Sequence, residues 1–235
     1  MRILFAISEA VPYWKTGGLA DVGRALPDAL AALGHEVRIL HPLYRPVRAR
    51  HLPLEPAGEA ELPWPAGPVR VRYFEHRPPA GAPALLVDAP AFFDVDDPYA
   101  APPGDPLAPG LRFALFCRAA LERARAWGAD VVHLNDWPTG LVPAYARLEP
   151  PWPPTVFTIH NLAYQGNFPP DILPRIGLAP HFLRAADALE FYGQVSFLKG
   201  GIALADQLVT VSPTYAREIQ TPEFGAGLDG LLRQR

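Results

Sequence analysis

The chain has 235 residues, 49% of them hydrophobic, and a formal net charge of −3. That is enough apolar residue for a large core, in one domain or two small ones. The mild acidity, without any basic run, argues against a nucleic-acid surface, and the single cysteine, Cys117, excludes an intrachain disulfide or a cysteine-built zinc site.

A strand is predicted first, over 2–8, from the run Ile3 to Ile7. The run is far too short for a signal sequence, and no stretch approaches membrane-spanning length, so a cytoplasmic protein is expected. Lys15-Thr16-Gly17-Gly18-Leu19-Ala20-Asp21 follows, ahead of a predicted helix over 19–33 that carries Leu19, Val22, Leu26, Leu30 and Leu33 at helical spacing and stops at Gly34. A cation and paired glycines between a strand and a helix suit an anion: glycine lets backbone approach a ligand, and the helix start offers unpaired N–H groups and a positive dipole end. The spacing is neither the dinucleotide fingerprint nor the Walker loop. A plain turn with a solvated Lys15 is the alternative. Lys15 and Lys199 are the only lysines among 21 basic residues, and Lys199 stands in a similar string, Phe197-Leu198-Lys199-Gly200-Gly201.

Further strands are predicted at 36–40, 69–75, 84–88, 130–134, 154–159 and 207–211, and helices at 109–127, 138–147, 195–205 and 213–220. Near-continuous apolar strands separated by helices predict an α/β fold: an open, mainly parallel sheet with helices on both faces. Residues 42–110 are rich in proline and read as an excursion, with a hairpin (69–75 with 84–88) and a long loop from Asp94 to Pro109. The final residues, 228–235, read as a helix without a closing element, as expected of a chain that stops partway through a larger protein.

In such a sheet, ligands bind beyond the carboxyl ends of the strands. After the first strand come Ser8, Glu9 and the Lys15 loop. After 130–134, which contains His133, come Asn135, Asp136 and Trp137. After 154–159 come His160, Asn161, Tyr164, Gln165 and Gly166, and after 207–211 comes Ser212. Polar and titratable groups therefore gather on one edge, which stability alone does not require. Each has a structural alternative. Asp136 suits a helix cap, His133 a core histidine, Trp137 either packing or a sugar platform, and Ser212 an N-cap for the helix starting at Pro213. His160-Asn161, polar directly after an apolar strand, reads as functional. A Ser–His–Asp hydrolase assembled from Ser8, Asp136 and His160 lacks the nucleophile elbow. A nucleotide-cofactor oxidoreductase lacks the glycine pattern and an acidic residue after Ile39-Leu40-His41. Scattered histidines give no metal site.

At these residues the chain resembles the bacterial glycogen synthase family, with plant starch synthase as a close relative. The matching pieces are Ser8-Glu9-Ala10 with Lys15 to Asp21; Val131-Val132-His133-Leu134-Asn135-Asp136-Trp137; Phe157-Thr158-Ile159-His160-Asn161-Leu162-Ala163-Tyr164-Gln165-Gly166; Gln194-Val195-Ser196-Phe197-Leu198-Lys199-Gly200-Gly201; and Val211-Ser212-Pro213-Thr214-Tyr215-Ala216. They lie in the family's order and span the chain from Ile3 to Arg235, while residues 45–75 match nothing. The resemblance implies a GT-B glycosyltransferase of two Rossmann-like domains facing across a cleft. Residues 1–235 would be the N-terminal, acceptor-side domain, and a C-terminal nucleotide-binding domain would lie beyond Arg235.

The implied reaction transfers glucose from ADP-glucose to the non-reducing end of an α-1,4-glucan, glycogen or a malto-oligosaccharide, with retention. By resemblance, Lys15, Gly17 and Gly18 approach the donor's diphosphate and sugar, and Asp21 and His160 sit by the glucosyl unit. Glu9, Tyr99 and Asp136 line the cleft near glucose and acceptor, and Asn161, Gln165 and Trp137 complete its wall. His160, Asp21 and Asp136 are the expected catalytic residues. No metal, cofactor, nucleic acid or membrane is implied. Retaining glycosidases flank the bond with two carboxylates; no such pair is evident here, which favours attack from the leaving-group face with the phosphate accepting the acceptor's proton. The fragment alone is expected to transfer little glucose. A UDP-glucose donor, or a stand-alone α-glucan-binding or regulatory module, are the alternatives.

Overall fold

The run Ile3-Leu4-Phe5-Ala6 is apolar at every position because the strand it forms, β1 (Arg2–Ala6), is covered on both faces; all four side chains are buried. In the computed structural model, which describes residues 1–183 and 188–235, β1 lies inside an eight-stranded sheet. The other members in chain order are β2 (Glu36–Pro42), β3 (Glu55–Leu62), β4 (Val69–His76), β5 (Ala84–Asp88), β6 (Val131–Asn135) and β7 (Thr155–Ile159). β8 (Asn167–Phe168), β9 (Glu190–Phe191) and β10 (Gln194–Ser196) form a separate small sheet, and β11 (Gln207–Thr210) closes the large one. The order is β11-β7-β6-β1-β2-β5-β4-β3, parallel from β11 to β5 and antiparallel at β4 and β3.

The helices are α1 (Leu19–Ala32), α2 (Arg45–Arg48), α3 (Pro90–Phe93), α4 (Ala108–Trp127), α5 (Val142–Leu148), α6 (Ile172–Ile176), α7 (Phe197–Leu204), α8 (Pro213–Glu218) and α9 (Asp229–Gln234). From β1 the chain steps to β2 and on to β5; from β6 it steps the opposite way, to β7 and β11. Right-handed crossovers then put α1 on one face and α4, α5 and α7 on the other, where α4 packs on α5 and α5 on α7. The direction reverses between β1 and β6. There the loops leaving the two strands diverge and open a crevice at the carboxyl edge.

The expected α/β architecture and the β4–β5 hairpin are present. Several boundaries differ. Residues 194–196, where the expected helix over 195–205 was to begin, pair as β10, and α7 starts at Phe197. The helix expected over 138–147 is a 3-10 turn at Trp137–Thr139 followed by α5. Leu33, counted on the apolar face of α1, caps the helix and is 75% exposed. β3 was not expected at all. It is the sheet's edge strand, carries Glu55, Glu59 and Glu61, and buries only Leu62. A charged edge resists pairing with other chains and leaves no apolar alternation to read.

Candidate functional site

Four strand ends meet at the crevice. Glu9 and the 16–18 loop follow β1, Asp136 and Trp137 follow β6, His160 and Asn161 follow β7, and Val211 follows β11. Together with Tyr99, Tyr164 and Gln165 they line a cleft of about 1110 Å³. Of the residues expected from sequence, Glu9, Gly17, Gly18, Tyr99, Asp136, Trp137, His160, Asn161 and Gln165 line this cleft. Lys15 and Asp21 do not. Lys15 Nζ donates to both carboxylate oxygens of Asp21, at 2.6 and 2.8 Å, and the side chains are 51% and 59% exposed. A pair so exposed adds little stability, so Lys15 can exchange Asp21 for another anion at small cost.

Asp136 is where β6 turns out of the sheet. Its backbone has φ 54° and ψ −176°, a combination that residues with a Cβ rarely adopt and that costs roughly 1–3 kcal/mol. Its side chain does not cap the following turn, as the sequence had allowed. Oδ1 instead accepts from the backbone N–H of His160 at 2.8 Å and, at the limit of 3.5 Å, of Asn161. The β6 carboxylate therefore ties down the β7 turn. Burial pushes this carboxyl up to about 7, while the two amides pull it down and the Glu9 charge adds to the rise. At neutral pH it is poised between its protonated and charged forms.

His160 is oriented through Asn135. Asn135 Nδ2 donates to the Ala6 carbonyl at 3.0 Å, which leaves Oδ1 to accept from His160 Nε2, also at 3.0 Å. The proton thus sits on Nε2, and Nδ1 carries the lone pair. Burial pulls His160 down to about 4, so its ring is neutral at pH 7. His133 is the satisfied core histidine: it packs on Phe5 at 4.7 Å and bonds Thr158 Oγ1 at 2.7 Å, and burial, reinforced by His160, lowers it to about 4.

Trp137 belongs to the cleft's packed wall. Its ring meets Phe113 edge-on at 4.8 Å and lies near Tyr99, Phe168 and Phe197. A Cβ at Gly166 would fall 2.3 Å from that ring, and Gly166 has φ +57°, so only glycine fits this turn. The Lys199 string is packing, not a second anion loop. It lies within α7, where a side chain on Gly200 would strike Leu189 and one on Gly201 would strike Phe157.

Ser212 is the predicted N-cap, accepting from the Tyr215 amide at 3.0 Å. The next link is visible only in the structure: Tyr215 Oη accepts from the Leu162 N–H at 2.9 Å, so α8 supports the turn that carries His160 and Asn161. Tyr215→Phe is expected to cost about 1 kcal/mol in urea unfolding and to speed amide exchange at Leu162. Unchanged exchange there would show that the hydroxyl does not hold the turn. Thr16, Asp97 and Val211 also line the cleft. Thr16 stood inside one matching motif and Val211 at the start of another, whereas Asp97 carried no signal of its own. Among the described residues, no cluster of His, Cys, Asp and Glu is arranged to hold a metal ion, and no helix is long and apolar enough to cross a membrane.

The chain is thus an open α/β domain whose switch-point cleft combines a glycine loop, a neutral histidine and a buried carboxylate. The chain matches the family described as starch synthase catalytic domain over residues 2–234. It belongs to that family. It is 49% identical to glycogen synthase 1 of Methylococcus capsulatus over 247 residues, covering 100% of this chain and 48% of that protein. It is 48% identical to the glycogen synthase of Thioalkalivibrio sulfidiphilus, covering 100% of this chain and 50% of that one. The catalytic domain of starch synthase IV from Arabidopsis thaliana, solved with ADP and acarbose, superposes with a TM-score of 0.83 at 29% identity, over 99% of this chain and 49% of that one. The chain spans about half the length of the curated relatives it matches.

Proposed function

We propose that residues 1–235 form the N-terminal, acceptor-side half of a retaining glucosyltransferase that moves glucose from ADP-glucose to the non-reducing end of an α-1,4-glucan. A second, nucleotide-binding domain would complete the site. The observation that carries this reading is the gathering of the family's motif residues from four strand ends into one cleft, on a fold shared with a starch synthase solved with a nucleotide and an oligosaccharide.

The chemistry follows from the groups present. Cleaving the sugar–phosphate bond builds negative charge on the diphosphate and positive charge on the sugar. Lys15 and the start of α1 stabilise the former. Neutral His160 accepts from a sugar hydroxyl through Nδ1, and Asp21 and Asp136 stand on the glucosyl side. Asp136, titrating near neutral pH, accepts a hydroxyl hydrogen bond when charged and donates one when protonated. Asn161, Gln165 and Tyr99 supply further polar contacts, and Trp137 supports the wall. The acceptor hydroxyl bonds to the anomeric carbon from the leaving-group face as the sugar–phosphate bond breaks, and its proton leaves on the phosphate, so the step requires neither a protein nucleophile nor a protein base.

Calorimetric titration of malto-oligosaccharide and of ADP-glucose into the chain, with a β-linked glucan as control, tests the reading. Binding of the α-glucan, absent for the β-glucan, supports an acceptor half; binding of neither ligand counts against it. In a protein of the relatives' full length, His160→Ala is expected to lower kcat/KM about 100-fold. A covalent glucosyl adduct trapped on Asp136 or Asp21 would overturn the proposed step.

A further inference from the structure

Glu9 is only 4% exposed and sits where the chain leaves β1. Every bond its carboxylate makes is one it accepts. Oε2 accepts from the amides of Thr16 at 2.7 Å and Gly17 at 3.3 Å. Oε1 accepts from Thr16 Oγ1 at 2.7 Å and Tyr99 Oη at 2.8 Å. Because Tyr99 spends its one proton on Glu9, Ser8 Oγ must donate at the 2.9 Å Ser8–Tyr99 contact. The order of donation is Ser8 to Tyr99 to Glu9. Tyr99 comes from the segment between α3 and α4, so one carboxylate joins the glycine loop to a strap from elsewhere in the fold.

Two observations show what holds this loop. A Cβ placed on Gly17 or Gly18 would meet nothing within 4 Å, so packing on that side does not define its shape. A Cβ on Gly23 would lie 2.5 Å from the Glu9 carbonyl oxygen; glycine there lets α1 rest on the Glu9 backbone and fixes the carboxylate's origin. The loop is held by bonds to an anion that the chain itself supplies.

We propose that Glu9 is a positioning residue: it fills the Thr16 and Gly17 amides as an internal anion and confines a bound phosphate to the donors from Gly18 onward. The second clause rests on reading this loop as the donor-phosphate site; the first does not. Removing the carboxylate charge then frees the loop, although it also removes a like charge from beside a bound phosphate.

The test is residue-resolved amide exchange and amide chemical shifts on this chain, without ligand and then with inorganic pyrophosphate. In Glu9→Gln, the Thr16 and Gly17 amides are expected to exchange at least about tenfold faster, with β1 and α1 protection unchanged. The Thr16 amide proton is expected to move upfield in the variant, as it loses a charged acceptor, while Gly18 to Ala20 keep their shifts, a signature that a merely structural role would not produce. Tyr99→Phe and Thr16→Val, each removing one donor, give a smaller gain in exchange confined to the same loop and decide the matter if Glu9→Gln does not fold. Unchanged exchange in the folded variants overturns the proposal. So does pyrophosphate that displaces Glu9 from the Thr16 amide instead of perturbing Gly18 to Ala20. Failure of pyrophosphate to bind would count against the donor-site reading, and the ligand-free exchange would still decide the role of Glu9.

Discussion

Gly140→Ala is expected to destabilise the domain by about 3 kcal/mol, a large loss for a change that replaces no cleft-lining residue. The backbone at Gly140 is ordinary helical, φ −66° and ψ −17°, so alanine suits it conformationally. By propensity alone, alanine would even gain up to about 1 kcal/mol. Contact decides against it. The added Cβ would stand 2.0 Å from the Phe197 carbonyl oxygen and 2.6 Å from its carbon, and both are backbone atoms at the start of α7. That segment cannot withdraw freely. The amides of Phe197 and Leu198 donate to the carbonyls of Gly166 and Gln165, at 3.1 Å each, and Ser196 Oγ accepts from the Lys199 amide at 3.2 Å. Relieving the overlap therefore breaks bonds in the turn that brings Gln165 and Gly166 to the cleft. Urea unfolding measures the stability loss, and a loss below about 1 kcal/mol would show that the start of α7 yields to the added methyl without breaking those bonds.

Asp136→Asn is expected to change how stability depends on pH. The folded carboxyl is raised from the ordinary 3.8 to about 7, with burial the largest cause. A group raised in the folded state contributes stability that is fully present below its unfolded value and is lost as pH climbs through the folded one. Stability should thus fall between about pH 4 and pH 7 on account of Asp136, by up to about 4 kcal/mol at 1.36 kcal/mol per unit. The buried histidines run the other way. His41 is lowered to about 3, and His133 and His160 to about 4, so their contributions are present above 6.5 and lost in acid. The parent profile alone therefore mixes opposing slopes, and the difference between parent and variant isolates Asp136. Asparagine keeps the backbone demand at φ 54° and can still accept the His160 amide, so charge is the main change. Denaturant unfolding at pH 4.5 and 7.5 is expected to show the variant gaining on the parent as pH rises. A constant difference would mean that the carboxyl is not held up by burial.

The chain's own periodicities determined most of the scaffold. Near-continuous apolar runs at β1, β6 and β7 announced strands covered on both faces, and helical spacing after Gly18 announced α1. Polar residues at the carboxyl ends of those strands then marked the edge on which the cleft lies, because a covered parallel sheet leaves only that edge for chemistry. The Ser212 cap was legible for the same reason: the interaction is local, within four residues of chain. What escaped the sequence were features that leave no periodic trace, several of them with partners far along the chain. β3 faces solvent and has no apolar period. The pairing of Lys15 with Asp21 depends on how the loop folds back. The service of Asp136 to the β7 turn instead of its own depends on how two strands lie side by side. Trp137 becomes a wall only because Phe113, Phe168, Phe197 and Gly166 close around it. Glu9 is one carboxylate among many until Thr16, Gly17 and Tyr99 all donate to it. Local sequence specifies which backbone segments form and where polar groups leave them. Side-chain partners separated by tens of residues are settled by packing and by the need to satisfy every buried donor and acceptor, and only the tertiary structure contains those constraints.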